Sequence, residues 1–335
     1  MLQRNPLTWQ RPRWQQDLAE AVRDPAELLQ LLELSPDLLA PALRASRDFP
    51  LRVPRSYVAR MRKGDPDDPL LRQVLPLAAE EVHRPEFMTD PVGDLRAMPH
   101  PGLLHKYHGR ALLITTGACA VHCRYCFRRH FPYGEANPAA GQWQAALDHI
   151  AGDPSLSEII LSGGDPLSLS DTRLAALAEQ LAAIPHVRRL RIHTRLPIVL
   201  PSRVNQELTG WLTQAPLQKV LVVHANHARE IDAETVKALR DLQNCGVTLL
   251  NQSVLLRGIN DHVEALIDLS ETLFAAGVLP YYLHLLDKVQ GAAHFDIPET
   301  EARLLLSRLR NRLPGYLVPQ LVREIEGEAS KRAIV

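Results

Sequence analysis

The stretch ALLITTGACAVHCRYCFRRHF, residues 111–131, runs from an apolar segment straight into a loop that holds three of the chain's four cysteines, Cys119, Cys123 and Cys126. Residues 111–115 read as a short buried strand. A polar, thiol-bearing loop directly after it is what the C-terminal end of a parallel strand delivers to an active face. Working outward, the alternation repeats. The first strand is followed by an amphipathic segment at 139–151, EIILS (158–162) by 171–184, and RRLRIHT (188–194) by 203–214. KVLVVHA (219–225) precedes 232–244, VTLLNQSV (247–254) precedes 261–276, and YYLHLL (281–286) precedes 298–311. Six strand–helix units in series demand a parallel α/β sheet with right-handed crossovers. They suit either a curved partial barrel or an open doubly wound sheet.

The 335 residues, 46% of them apolar, can build a sizeable core. Thirty-eight basic side chains balance thirty-eight acidic ones, so bulk charge draws the protein to neither nucleic acid nor an anionic membrane. The N-terminus MLQRNPLTWQRPRWQQ lacks an apolar signal core, and no run approaches the roughly 18 apolar residues of a membrane span. We read the chain as cytoplasmic, where crowded cysteines bind metal or do redox chemistry rather than form disulfides. Residues 1–104 mix short helical patterns such as DPAELLQLLEL with proline-punctuated stretches, a helical region that caps the rest. The last 24 residues read as a strand or loop extension with a polar, glycine-containing tail.

Each strand ends in unusual polar groups. The cysteines follow the first and SGGDPL (162–167) the second; His193, Thr194 and Arg195 close the third, and HANH (224–227) the fourth. NQS (251–253) ends the fifth, and His284 and Asp287 belong to the sixth. Six coincidences on one rim point to a site rather than to ordinary loops.

An isolated CxxC is a redox pair or half a zinc site, and zinc wants four ligands. His122 and His130 could complete one, but Cys245 alone supplies no second pair. Three thiolates can instead hold three irons of a [4Fe-4S] cube and leave the fourth iron open. The spacing CxxxCxxC, with Tyr125 before the last cysteine, resembles the signature of the radical S-adenosylmethionine (radical SAM) superfamily. The resemblance implies a partial (β/α)6 barrel, a cluster on Cys119, Cys123 and Cys126, S-adenosylmethionine on the open iron, and a 5′-deoxyadenosyl radical as hydrogen abstractor. It also implies that Gly163 and Gly164, lacking Cβ atoms, let the backbone approach the cofactor's methionine moiety, with Asp165 beside them.

The flanks are more specific. KYHGRALLITTGACAVHCRYCFRRHF (106–131), LSGGDPL, LPSRV, NHAREI, NQSVLLRGIND, YYLHLLDKVQGAAHF and GYLVPQLVREIEGEASK (315–331) together resemble lysine 2,3-aminomutases from about residue 65 to the end. That resemblance implies a second cofactor, pyridoxal 5′-phosphate (PLP), with Lys331 as its Schiff-base lysine on a tail folded over the barrel mouth. In isolation, a lysine five residues from a C-terminus is solvated tail. By the same resemblance Tyr107 packs on the PLP ring, Arg110 lies near its phosphate with Lys106 beside it, and Tyr125 lies near the adenine as a catalytic-site aromatic. His224 and Gln252 surround S-adenosylmethionine and substrate. Arg128 pairs with the substrate α-carboxylate, while Asp287 and Glu324 grip a distant ammonium and so favour a cationic side chain.

The family pattern divides the chain into 1–104, a barrel over 105–290 and an extension over 291–335. Glu324 stands where lysine-specific members have aspartate. The short tail, with His262 in place of a zinc-binding cysteine, makes the family's interfacial zinc unexpected. These departures resemble the branch that makes (R)-β-lysine for elongation factor P. The resemblance implies L-lysine as substrate, a flavodoxin or ferredoxin as electron donor, and a functional link to elongation factor P and its ligase, with homo-oligomerisation left open. The alternatives are a 2,3-aminomutase for another cationic amino acid, a radical enzyme without PLP, or a zinc-stabilised RNA-binding module. Neutral charge and the lack of interleaved aromatics weigh against the last.

Overall fold

The computed structural model describes residues 12–136 and 143–335. The start of the expected helix at 139–151 and most of the N-terminal stretch quoted above lie outside the described residues. Seven strands pair in parallel in chain order: β2 (Arg110–Thr116), β3 (Glu158–Gly163), β4 (Arg189–Thr194), β5 (Gln218–Val223), β6 (Val247–Val254), β7 (Leu279–His284) and β8 (Gln320–Arg323). Two antiparallel edges flank them, β1 (Leu103–Tyr107) against β2 and β9 (Arg332–Ala333) against β8.

This order decides between the two architectures. A doubly wound sheet reverses direction at a switch point, whereas here every right-handed crossover advances the same way and all connecting helices fall on one face. The sheet therefore curls into a partial barrel whose concave face is free for a site. Four short helices precede it, α1 (Arg13–Ala19), α2 (Pro25–Leu31), α3 (Leu39–Asp48) and α4 (Arg55–Val58). A one-turn helix, α5 (Tyr133–Ala136), follows the cysteine loop. The outer layer comprises α6 (Gln144–Gly152), α7 (Asp171–Ala182), the short α8 (Leu196–Val199), α9 (Gln206–Gln214), α10 (Ala233–Asn244), α11 (Val263–Ala275) and α12 (Glu299–Arg310). Among the described residues no helix is long and apolar enough to cross a membrane.

Local chemistry explains the elements. In α7, Leu174, Leu177, Ala178 and Leu181 recur at helical spacing and are all buried. Asn205 and Asp232 cap α9 and α10, accepting from Leu208 N and Thr235 N at 2.9 Å. Cys245 is a core residue whose thiol meets Asp241 O at 3.2 Å.

Two elements go beyond the six-unit reading. β1 turns into β2 through His108 and Gly109, the latter at φ +78°, the left-handed value that the second central residue of a type II turn takes and that glycine adopts without strain. β8 is a seventh parallel strand, anchored by Leu321 in an apolar cluster with Leu283, Leu305 and Leu309. The chain then doubles back so that Arg323 pairs with Arg332. Glu324 and Lys331 are therefore the next facing pair, at the base of a loop that turns at Gly327, φ +80°.

Candidate active site

A cavity of about 690 Å³ lies inside the barrel, lined by the three cysteines and by Tyr107, Arg110, Tyr125, Arg128, Gly163, Gly164, Asp165, His224, Gln252, Asp287, Glu324 and Lys331, whereas His130 and the strand-end residues Asn226, His227, Asn251 and Ser253 are not part of its lining. At its upper end is the cysteine loop. Arg124, fully buried, holds that loop by donating to Glu80 (Nε to Oε1, 2.8 Å) and to Phe49 O (2.7 Å). Arg129 joins the same carboxylate at 2.8 Å. Of the two neighbouring arginines, Arg129 is thus tied to Glu80, while Arg128 is anchored differently, as described below.

Burial and the neighbouring thiols push Cys119 up, and burial with Cys123 pushes Cys126 up to about 11. A bound cation reverses that, since a coordinating thiol is deprotonated outright. Three thiol ligands suit a cluster with one open iron better than a closed tetrahedral zinc site, which wants a fourth nitrogen or sulfur ligand. His122 and His130 are engaged elsewhere, with Pro50 O at 2.8 Å and Gln290 O at 3.1 Å.

The glycine pair has an internal reason as well as the expected one. A Cβ on Gly163, at φ +117°, would stand 2.6 Å from Thr116 O, and one on Gly164 would stand 2.4 Å from Ala118 O. Gly164 N and Asp165 N donate to those same carbonyls at 2.7 and 2.8 Å, so the loop after β3 is clamped to the backbone leading into the cysteines. Asp165, expected at the cofactor, is committed to the chain itself. Its oxygens accept from Thr194 Oγ1 (2.7 Å), Leu167 N (3.0 Å), Arg195 N (2.7 Å) and Leu196 N (3.1 Å). A carboxylate with about four acceptor sites has none left over, which makes Asp165 a positioning residue.

Behind the loop lies a buried network that joins Arg195, Asn226 and Tyr125 to Gln73 and Glu230, two residues that no sequence signal marked. Arg195 donates to Cys123 Sγ (2.8 Å), Gln73 Oε1 (2.6 Å) and Glu230 Oε2 (2.8 Å). Asn226 Nδ2 donates to Tyr125 Oη at 2.7 Å, so Tyr125 is fixed with its ring edge-on to Phe295.

Lower in the cavity a chain of alternating charges crosses the barrel. Arg128 Nε donates to Asp94 Oδ2 at 2.7 Å and Nη1 to Ser162 Oγ at 3.1 Å. Asp94 pairs with Lys106 at 2.5 Å, Lys106 with Glu324 at 2.9 Å, and Glu324 with Lys331 at 2.5 Å. Asp94 was missed because the turn-like stretch around it has no periodicity. Burial disfavours ionised Glu324, but Lys331 and Lys106 outweigh it and hold the carboxyl down to about 2. Asp287 goes the other way, pushed up to about 7 by burial and then by Glu324.

Tyr107 stacks under Arg110, 4.7 Å from guanidinium carbon to ring centroid. Nearby Arg191 pairs with Glu158 yet leaves its buried Nε without a partner. His193, His224 and His284 lie around Lys331, and burial foremost keeps all three uncharged at neutral pH, His224 at about 4.

The curled sheet and three-cysteine loop define the radical SAM class of enzymes, and a sequence model of the Radical SAM superfamily matches residues 113–270. The L-lysine 2,3-aminomutase of Escherichia coli (strain K12) is 54% identical over 319 residues, 95% of this chain and 93% of that one. Its Haemophilus influenzae counterpart is 47% identical over 99% of this chain and 98% of its own. That of Clostridium subterminale is 34% identical over 98% and 78%. The chain belongs to the L-lysine 2,3-aminomutase family, and is thus an isomerase. Membership of the superfamily implies the [4Fe-4S] cluster and S-adenosylmethionine, and sets the RNA-binding alternative aside.

Proposed function

We propose that this enzyme converts L-lysine to β-lysine in the cytoplasm, using PLP held by Lys331 together with the cluster and S-adenosylmethionine. The observation that carries the reading is the line Arg128–Asp94–Lys106–Glu324–Lys331, with Asp287 beside it, in the cavity that also holds Cys119, Cys123 and Cys126.

The residues fit PLP. Lys331 reaches into the cavity, Tyr107 offers a ring face, and Arg110 with the partnerless Nε of Arg191 offers cationic donors for a phosphate. When bound, the cofactors supply a hydrogen-abstracting radical and an aldehyde that carries the migrating nitrogen. The protein's part is orientation and exclusion of water. Arg128, rigidly held by Asp94, receives the substrate α-carboxylate. Gln252 and His224 line the same cavity and contact S-adenosylmethionine and substrate. Tyr125 and the clamped Gly163–Gly164 loop shape the S-adenosylmethionine side.

Glu324 and Asp287 select a cation. With its amine free, Lys331 balances Glu324. When Lys331 holds PLP that ammonium is withdrawn from the carboxylates, and the side-chain ammonium of a lysine substrate restores the balance. A cation arriving beside Asp287 also favours its ionised form, so lysine binding near pH 7 releases protons.

The product is the (R)-enantiomer, destined through a separate ligase for elongation factor P, and a flavodoxin or ferredoxin reduces the cluster. Glu324 supports this branch. Another cationic amino acid would meet the same two carboxylates, and product analysis separates it from lysine. The reading requires that Cys126→Ala abolish reduction-dependent turnover and that Lys331→Ala lose the PLP absorbance band while keeping its iron. Turnover in the first variant, or an unchanged band in the second, overturns it.

A further inference from the structure

On the outside of the barrel, away from the cavity, two histidines and an aspartate converge. His105 lies on β1, His149 in the last turn of α6, and Asp153 just past that helix's end. One ligand atom from each lies within 4.8 Å of the other two, and all three residues are half-buried. The His149 Nε2 atom is buried and has no hydrogen-bond partner. Such an atom is costly unless something binds it. Asp153 Oδ1 accepts from Ser155 N at 3.0 Å and the Ser155 side chain also bonds the carboxylate, which orients it. The rings of His105 and His149 meet nearly at right angles, centroids 6.1 Å apart, and His100 stands 5.1 Å from His149 on another side.

We propose that His105, His149 and Asp153 form a binding site for a zinc-class divalent cation that clamps β1 to the end of α6. Two imidazoles and one carboxylate are a nitrogen-rich, borderline-soft set that suits zinc and its late first-row neighbours rather than magnesium or calcium. Ligands at about 2.0–2.2 Å from one ion lie about 3.3 Å apart, so the side chains close inward on binding, and half-buried rotamers allow that. Leu104 and Lys106 line the cavity with His105 turned away between them, and an irregularity in the pairing between Leu104 and Tyr107 lets Tyr107 line it too, so the ion stiffens the strand that carries Lys106 and Tyr107. This site is separate from His262, which caps α11 through Ala265 N at 3.2 Å, and it does not depend on the reaction proposed above.

The test uses anaerobically purified, cluster-loaded protein, in which the cluster occupies the cysteines. Calorimetric titration with zinc chloride should show one saturable site per chain, unaffected by excess magnesium, and zinc should raise the melting temperature. His149→Ala and His105→Ala should each weaken binding by at least about tenfold, whereas His262→Ala should not. Asp153→Asn, at the surface, serves if a histidine variant folds poorly. Absence of saturable binding, or binding that all three site variants leave intact, overturns the proposal.

Discussion

Replacing Glu324 by glutamine keeps the side chain's shape and removes the charge on which Lys331 and Lys106 converge. Burial opposes the ionised form, yet the two lysines bring the carboxyl from its ordinary 4.5 down to about 2. At about 1.4 kcal/mol per pH unit that gap amounts to about 3 kcal/mol. Water still reaches 16% of the side chain, so the expected loss is about 2–3 kcal/mol after screening. The folded value lies below the unfolded one, so the contribution is complete above pH 4.5 and disappears as pH falls toward 2. The assay is urea unfolding of cluster-free protein at pH 7, followed by circular dichroism. E324Q should be about 2–3 kcal/mol less stable than the parent. Combining it with Lys106→Met should cost less than the two changes added, because the residues share one interaction. A variant within about 0.5 kcal/mol of the parent, as for an ordinary surface substitution, would refute the reasoning.

Gly164→Ala puts a Cβ 2.4 Å from Ala118 O; it should cost about 1–3 kcal/mol and lower the iron retained after anaerobic reconstitution, and full iron with an unchanged melting temperature contradicts the clamp. Arg195→Met strands the buried Glu230 carboxylate and should cost about 3–5 kcal/mol, part of which Glu230→Gln restores in the double variant; equal melting of single and double variants contradicts the network. His224, kept by burial at about 4 against an ordinary 6.5, contributes fully above pH 6.5 and loses up to about 3 kcal/mol as pH falls through 4. His193 and His284 act in the same direction, so melting temperature should drop between pH 7 and 5, and a flat profile contradicts this.

The strand–helix alternation was legible because burying a parallel sheet forces apolar runs such as EIILS, and amphipathic helices such as α7 must cover it. The polar strand ends were legible for the complementary reason: nothing in a core calls for cysteines, paired glycines and histidines there. β1 escaped notice because LLHKY is short and half polar, and its hairpin turns on His-Gly rather than on the usual Asn-Gly. The place of Lys331 was legible only through the family's tail pattern. Its physical basis is the register Arg323–Arg332, a pairing between strands that periodicity does not encode. Asp94 and the Gln73–Arg195–Glu230 network were illegible because their partners lie 12 to 157 residues apart. Asp165 carries a role its motif does not spell out: its oxygens tie the loop after β3 to Thr194, Arg195 and Leu196 at the end of β4.

The most direct measurement supplies the cluster-loaded, PLP-loaded enzyme with dithionite, S-adenosylmethionine and isotopically labelled L-lysine, and resolves the products by mass spectrometry after chiral derivatisation. The account predicts labelled (R)-β-lysine, formed only when cluster, S-adenosylmethionine and PLP are all present. A protein that binds all three and leaves lysine unchanged would contradict the roles given to Asp287 and Glu324.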